Sequence, residues 1–521
     1  MNMHLVWSTV VLTLCTCMLR ATFAADTGGE PVAHWRFEEV RQIARDVPDG
    51  RGADDGALKQ RTKGRVVLRE QSVDEDALQG FYRIVPGVSG NALRLGGIDS
   101  YVECEAGQEL LGNGPFSIGA WIALGAFPVN WCPIVASATD SDGVVFGIDA
   151  HGRLGLQVAL DGGWQDVVST EQIPLGKWMH VACTFRPNAS MSIFINGKLV
   201  GECALTGQLI PSRDSKLLIG RHPVAHQPDG TIRAHATAKA HTYFDGVLDE
   251  LEIYGRTLTA AEILREWEVA QPTKPPQLPE RRLPSFATAT AAFGANYATL
   301  PYYDAWDARW QVGDAADVVV RFDENPCKFV FWRGTSYIPH WLTENDIWYN
   351  NEFVETWNDQ GCHEPMSDKQ CRYAHVRILE SNPARVVVQW RYALADNWYS
   401  IFRGDEPNNW GEWVDEVYTV YPDAIGVRRI TLYSTDPHSA PYEWNEAIVV
   451  MGPGQRPEDV LQPKPVTLLN LAGQSHTYSW VGGPPGPPEL PQNATIERIN
   501  TKSKYQPFLA FPTSAKPVFD I

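Results

Sequence analysis

Between Cys327 and Arg403 the chain gathers six Trp, five Tyr, three His and six Arg, mostly in the run FVFWRGTSYIPHWLTENDIWYNNEFVETW and the later GCHEPMSDKQCRYAHVRI. An indole, a phenol or a guanidinium is expensive to bury unless its polar end finds a partner, so a core alone does not call for this composition. Flat aromatic faces beside hydrogen-bonding and titratable groups suit a sugar-binding cleft. Arg333, Asn350, Asn351, Arg372 and Arg377 can neutralise or hydrogen-bond an anionic group, while His340, Tyr349, His363, Tyr373 and His375 can carry protons. His363 lies on the Gly-flanked loop 361–369, where a polar group is more often functional than in a strand. Glu352, Glu355, Glu364, Glu412 and Glu416 offer a glycosidase the two carboxylates it needs about 5–10 Å apart, but no spacing singles out a pair.

Two long hairpins must position many of these groups. HVRILESNPARVVVQWRYAL turns at Ser381–Ala384, and EWVDEVYTVYPDAIGVRRITLYS turns at Tyr421–Ala424. The strand period of two places His375 and Arg377 on one face of the first hairpin, and Val414, Glu416, Tyr418 and Val420 together on one face of the second. A sheet face lined with large polar groups is wet or functional; alternatively Arg377 bridges across strands to a carboxylate such as Glu416. Elsewhere strand signals are short and punctuated by Gly, Pro, Asn and Asp. The clearest helix is TLTAAEILREWE, residues 257–268, with Thr259 as its cap. The reading is an all-β chain: one sandwich over 25–270, a Pro-rich extended tether over 271–285, and a second sandwich, the candidate catalytic one, over 286–521.

A chain of 521 residues exceeds one ordinary core. Its net charge of −18 opposes nucleic acid or an anionic membrane as partner. The stretch 327–403 is near neutral, with eight Lys and Arg against nine Asp and Glu, which admits an acidic polysaccharide. Residues 1–24 read as a secretory signal peptide, whose apolar core Leu5–Leu19 is shorter than the roughly 20 residues of a span. The mature chain is therefore expected to be secreted, periplasmic or on the cell surface, with no membrane span. Beyond the signal lie seven cysteines, an odd number for an exported chain. Cys362 and Cys371 flank a polar loop that a disulfide between them could staple.

The ordered segments PVAHWRFEE, VSGNALRLGGIDSYVEC, GPFSIGAWIAL, LGKWMHVACTF, SIFINGKLVGE, LLIGRH and FDGVLDELEIYGRTLTAAEI span most of residues 31–268. Together they resemble the laminin-G-like members of the concanavalin A jelly-roll superfamily. The resemblance implies two curved antiparallel sheets, an adhesive or sugar-binding accessory module, and sometimes a structural calcium. Asp99, Asp245 and Asp249 are the candidate Ca2+ ligands; the favoured reading is structural, with Asp245 serving a turn and Asp249 facing solvent on a strand. The sequence requires no other cofactor.

In the second half, FVFWRGTSYIPHWLTENDIWYNNEFVETW, GCHEPMSDKQCRYAHVRI and WVDEVYTVYPDAIGVRRI resemble a family of secreted marine bacterial proteins that includes ulvan-lyase-like polysaccharide lyases. The activity so implied is β-elimination on an acidic, uronate-containing polysaccharide. Such a reaction needs the carboxylate neutralised, the C5 proton removed and the departing oxygen protonated. His363 and Tyr373 are the candidate proton carriers and Arg372 the neutraliser, with Trp332, Arg333, His340, Trp341, Tyr349, Asn350, His375 and Arg377 lining the substrate. Against this stands the plain structural reading, in which the histidines are satisfied strand residues and the tryptophans fill a core. A non-catalytic carbohydrate-binding or surface protein is the alternative from another class.

Overall fold

The computed structural model describes residues 29–38, 82–97, 100–104, 110–112, 114–213, 216–227, 239–278, 282–286, 292–301, 315–358, 361–396, 399–405, 407–452, 454–481, 485 and 491–512, with five two-residue strand segments between 41 and 79. The strand Phe116–Leu124 is apolar or small on both faces and is buried at every position. It therefore sits centrally in a ten-stranded antiparallel sheet, between Met179–Arg186 and Asp245–Tyr254. A nine-stranded sheet that includes Cys132–Ala138, Gly143–Ile148 and Arg153–Leu160 lies opposite. Ile118, Ile122 and Phe185 from one sheet share a core with Ile134, Phe146 and Leu156 from the other. Each such fully buried side chain contributes about 1.5–3 kcal/mol.

Local signals agree with this sandwich. Asn196 and Gly197, at φ 50° and 73°, turn the hairpin between Ser190–Ile195 and Lys198–Ala204. The helix Ala260–Val269 is closed by a capping box: Thr259 Oγ1 accepts the Glu262 N–H, and Glu262 accepts the Thr259 N–H at 2.7 Å. Its Ile263 packs on Ala182, Phe194 and Tyr254. Asp249 is fully buried; its Oδ2 accepts the N–H groups of Val88 and Ser89 at 2.7 and 3.1 Å, and its Oδ1 that of Glu250 at 2.9 Å. It holds a loop, and burial pushes its carboxyl up to about 7. Asp245 opens the same strand, and Asp99 lies outside the described residues.

In the second half, a six-stranded sheet runs in the order Gly294–Ala298, Asp317–Arg321, Lys328–Phe331, Pro339–Leu342, Trp348–Asn350 and Ile448–Val450. The two predicted hairpins form a four-stranded meander, His375–Asn382, Arg385–Ala393, Trp413–Val420 and Gly426–Tyr433. Val386, Val388, Trp390 and Tyr418 of the meander pack with Val318, Val320, Phe329 and Phe331 of the larger sheet, giving a second sandwich. A three-stranded sheet joins Gly361–His363, Glu355–Asn358 and Tyr442–Glu443. A further four-stranded sheet spans Leu461–Leu469, Ser475–Tyr478, Ile496–Thr501 and Phe508–Ala510. The described part of the connector carries no helix or strand, as its prolines dictate. It is clamped rather than loose: Leu278 packs near Trp121 and Trp178, while Leu283, with Phe286 just beyond the connector, packs near Val319, Val330 and Trp332.

Glu416, fully buried, receives the phenols of Tyr392 and Tyr418 at 2.7 Å each, and Arg428 through Nε at 2.7 Å and Nη2 at 2.6 Å. Arg428 Nη1 also donates to Trp444 O at 2.9 Å and Asn445 Oδ1 at 2.8 Å. The partner of Glu416 is thus Arg428 and not Arg377, whose side chain lies on the other face of the sheet because Arg377 is exposed while Glu416 points inward. Glu412 is held in like manner by Arg403 at 2.7 Å, Ser434 at 2.6 Å and Tyr442 at 2.7 Å. Replacing Arg428→Met strands a buried carboxylate, and urea unfolding is expected to show a loss of about 3–5 kcal/mol. The double replacement Glu416→Leu/Arg428→Met is expected to lose less than the single one.

Candidate functional site

The aromatic-rich run folds largely into the interior. Trp332 and Trp348 meet at 5.7 Å between ring centroids, and Trp341 stacks on Phe329 at 4.4 Å. His340 is 1% exposed; its Nδ1 lies 2.7 Å from Ile338 O and its Nε2 3.1 Å from Asn350 Nδ2. Tyr349 and Asn350 are buried, and Asn350 Oδ1 accepts the Glu352 N–H at 2.8 Å. Arg333 pairs with the buried Asp317. Trp332, Arg333, His340, Trp341, Tyr349 and Asn350 therefore do not line an open cleft, which corrects the expectation from sequence. The reason is that their sheet is covered on both sides, by the meander on one and by Leu283 of the connector and Phe286 just after it on the other, so both alternating sets point inward.

His363 is also buried. Its Nε2 stands 4.0 Å from Asp396 Oδ2 and its ring meets Phe402 edge-on at 5.1 Å. Burial lowers its pKa, opposed by the Asp396 carboxylate. Arg372 is exposed and Tyr373 half-buried on a loop that Asp368 shapes: its carboxylate accepts the N–H groups of Arg372, Tyr373 and Ala374 at 2.8, 2.8 and 3.0 Å. The Arg372 guanidinium lies 3.9 Å over the ring of Tyr399. The Tyr373 phenol donates to Tyr399 O at 3.2 Å, its ring meets Trp413 edge-on at 5.9 Å, and burial raises its pKa. Arg372 and Tyr373 thus come together at Tyr399 while His363 stays inside. The Cys362–Cys371 staple does not form; both are free, with Cys362 Sγ 3.3 Å from Glu355 Oε2 and Cys371 Sγ 3.3 Å from Arg333 O.

The outer face of the meander is open. His375 and Arg377 share it, as their spacing predicts, and lie directly across from Arg391 and Gln389. His375, Val376, Arg377, Gln389 and Arg391 line a shallow groove of about 350 Å³. Trp413, Arg429 and Tyr433 continue the face, with Trp410 stacked near Trp413 at 5.4 Å and 64% exposed. Asp415 also lies on this face; it accepts Gln389 Nε2 at 3.1 Å and the Tyr433 phenol at 3.0 Å, and its Oδ1 stands 3.9 Å from Arg391 Nε. The Arg391 guanidinium lies 5.7 Å from the Trp413 ring and 5.6 Å from that of Tyr433. Within an acidic chain this is a local patch of arginine and aromatic faces. Gln389, Arg391, Trp413 and Tyr433 escaped the sequence reading, although VVVQWRYA alternates polar and apolar residues in a way that carried the signal.

A second cluster lies at the three-stranded sheet. Glu355, Cys362 and Glu364 bring one donor atom each within 4.8 Å of one another. Burial, with Glu446, Glu355 and Glu443 nearby, pushes the Glu352 carboxyl up to about 11. Burial and Glu355 push Glu364 up to about 8, against the pull of Lys369.

Residues 95–264 match the family described as the concanavalin A-like lectin/glucanases superfamily, so the first sandwich is a jelly roll of that kind. A search of curated proteins finds none that matches. Among solved structures, the chain is similar to domain 4 of AbnA, a GH43 extracellular arabinanase from Geobacillus stearothermophilus, at 17% identity over 46% of this chain and 98% of that one, with a TM-score of 0.31. It is also similar to the CBM40 of the Ruminococcus gnavus IT-sialidase, at 13% identity over 34% of this chain and 95% of that one, TM-score 0.27. A botulinum neurotoxin type C structure is 13% identical over 77% of this chain and 95% of that one, TM-score 0.32. Likenesses this weak carry no argument about activity. Among the described residues no helix is long and apolar enough to cross a membrane.

The buried His340 makes a pH prediction. Burial pushes its pKa down from 6.5 to about 4, so the folded chain keeps it neutral while the unfolded chain protonates it. Its stabilising contribution is full above pH 6.5 and is lost as pH falls toward 4, to the extent of about 3 kcal/mol. A His340→Gln variant is expected to show a flatter dependence of Tm on pH across that window.

Proposed function

We propose that the outer face of the meander binds an acidic, uronate-containing polysaccharide and that the residues around its groove cleave it by β-elimination. The observation that carries the reading is the open groove lined by His375, Arg377, Gln389 and Arg391, bordered by Trp413 and Tyr433. Arginine recognises a carboxylate through a planar fork of donors, and an aromatic face stacks on the apolar side of a sugar ring. In this reading Arg377 and Arg391 hold the uronate carboxylate. His375 takes the C5 proton, the C4–O bond breaks as the C4–C5 double bond forms, and the Tyr373 phenol protonates the departing oxygen before refilling from solvent. His375 replaces the buried His363 as base, because His363 is 2% exposed.

Purified mature chain incubated with a panel of uronate polysaccharides, ulvan among them, is expected to generate the ultraviolet absorbance of an unsaturated uronate. Tyr373→Phe and His375→Ala are each expected to lower kcat by roughly 10²–10⁴-fold. Arg377→Ala and Arg391→Ala are expected to weaken binding and reduce its salt dependence. Binding without any new absorbance assigns the chain to carbohydrate binding alone, and reducing ends without absorbance assign it to hydrolysis.

A further inference from the structure

We propose that Glu355, Cys362 and Glu364, with Glu352 beside them, form a binding site for one divalent transition cation of the zinc type. One donor atom from each of the first three lies within 4.8 Å of the others, and Cys362 Sγ is 3.3 Å from Glu355 Oε2. These residues come from the paired strands Glu355–Asn358 and Gly361–His363 and from the residue just after, so the backbone ladder already holds them together.

Glu352 is the independent indication. It is 1% exposed and its Oε2 faces no hydrogen-bond donor. Asp317, Asp368, Glu412 and Glu416, equally buried in the same half, are each held by an arginine or by several backbone N–H groups. Glu352 instead adopts φ 59°, a left-handed conformation uncommon away from glycine, with its N–H tied to Asn350 Oδ1. Glu352, hydrogen-bonded to Glu446 and with its Oε2 met by no donor, stands beside Glu355 and Cys362, so a cation seated among them would find a fourth ligand already in place. The mixture of sulfur and oxygen suits zinc better than calcium or magnesium, which take oxygen alone. Binding would break the Cys362 S–H bond, form a sulfur–metal bond and release the proton to solvent.

The test uses the full mature chain, stripped with a chelator, supplied with Zn2+ and desalted. One zinc retained per chain is expected, with Tm rising with the logarithm of Zn2+ concentration. Co2+ in place of zinc is expected to show a thiolate-to-metal charge-transfer band in the unaltered chain, a readout that depends on no variant folding. Cys362→Ser is expected to abolish that band, and Glu355→Gln to weaken metal binding by at least the roughly 10–100-fold that loss of a supporting group costs. No retained zinc, equal retention by both variants, or binding of Ca2+ without Zn2+ would each overturn the assignment.

Discussion

Glu416 has no access to water, and its charge is met by two phenols and by the Nε–Nη2 edge of the Arg428 guanidinium. A charge so placed costs several kcal/mol to desolvate and is tolerated only when its partners are in register. Arg428 in turn holds the backbone at Trp444 and the side chain of Asn445. The constraint therefore reaches from the last strand of the meander into the segment that carries Glu443 and Glu446. Tyr392 extends it further, because its hydroxyl also accepts the Val354 N–H at 2.7 Å and so ties down the segment bearing Glu352 and Glu355. The carboxylate cluster is positioned by a neighbouring network that is itself fully satisfied.

The two faces of the meander divide the work that way. The inner face carries the apolar residues and the locked carboxylate, while the outer face carries arginines and aromatics that have water to solvate them. Cationic groups on an open sheet keep their hydration and remain available to a ligand, whereas the same groups turned inward would each require a buried counter-charge. Arg333, Arg403 and Arg428 took that second course and act as struts.

Much of this was legible in the chain itself. The apolar alternation and the turn residues located both hairpins, Thr259 announced the helix cap, and the ordered segments of the first half indicated a jelly roll. The placement of His375 and Arg377 on one face followed from the strand period alone. These features are local, decided by residues within a few positions of one another.

The sense of the aromatic-rich run was not local. Trp332, His340, Trp341 and Tyr349 have the composition of a sugar cleft, and what turned them into core was the covering of their sheet from both sides by segments distant in the chain. The same holds for Glu416, whose partner could be named only once the register set Tyr418 opposite Arg428. Sequence by itself determined which segments become strands and which residues share a face, because backbone geometry ties both to spacing. Only the tertiary structure decided which face meets water, because that depends on what packs against it.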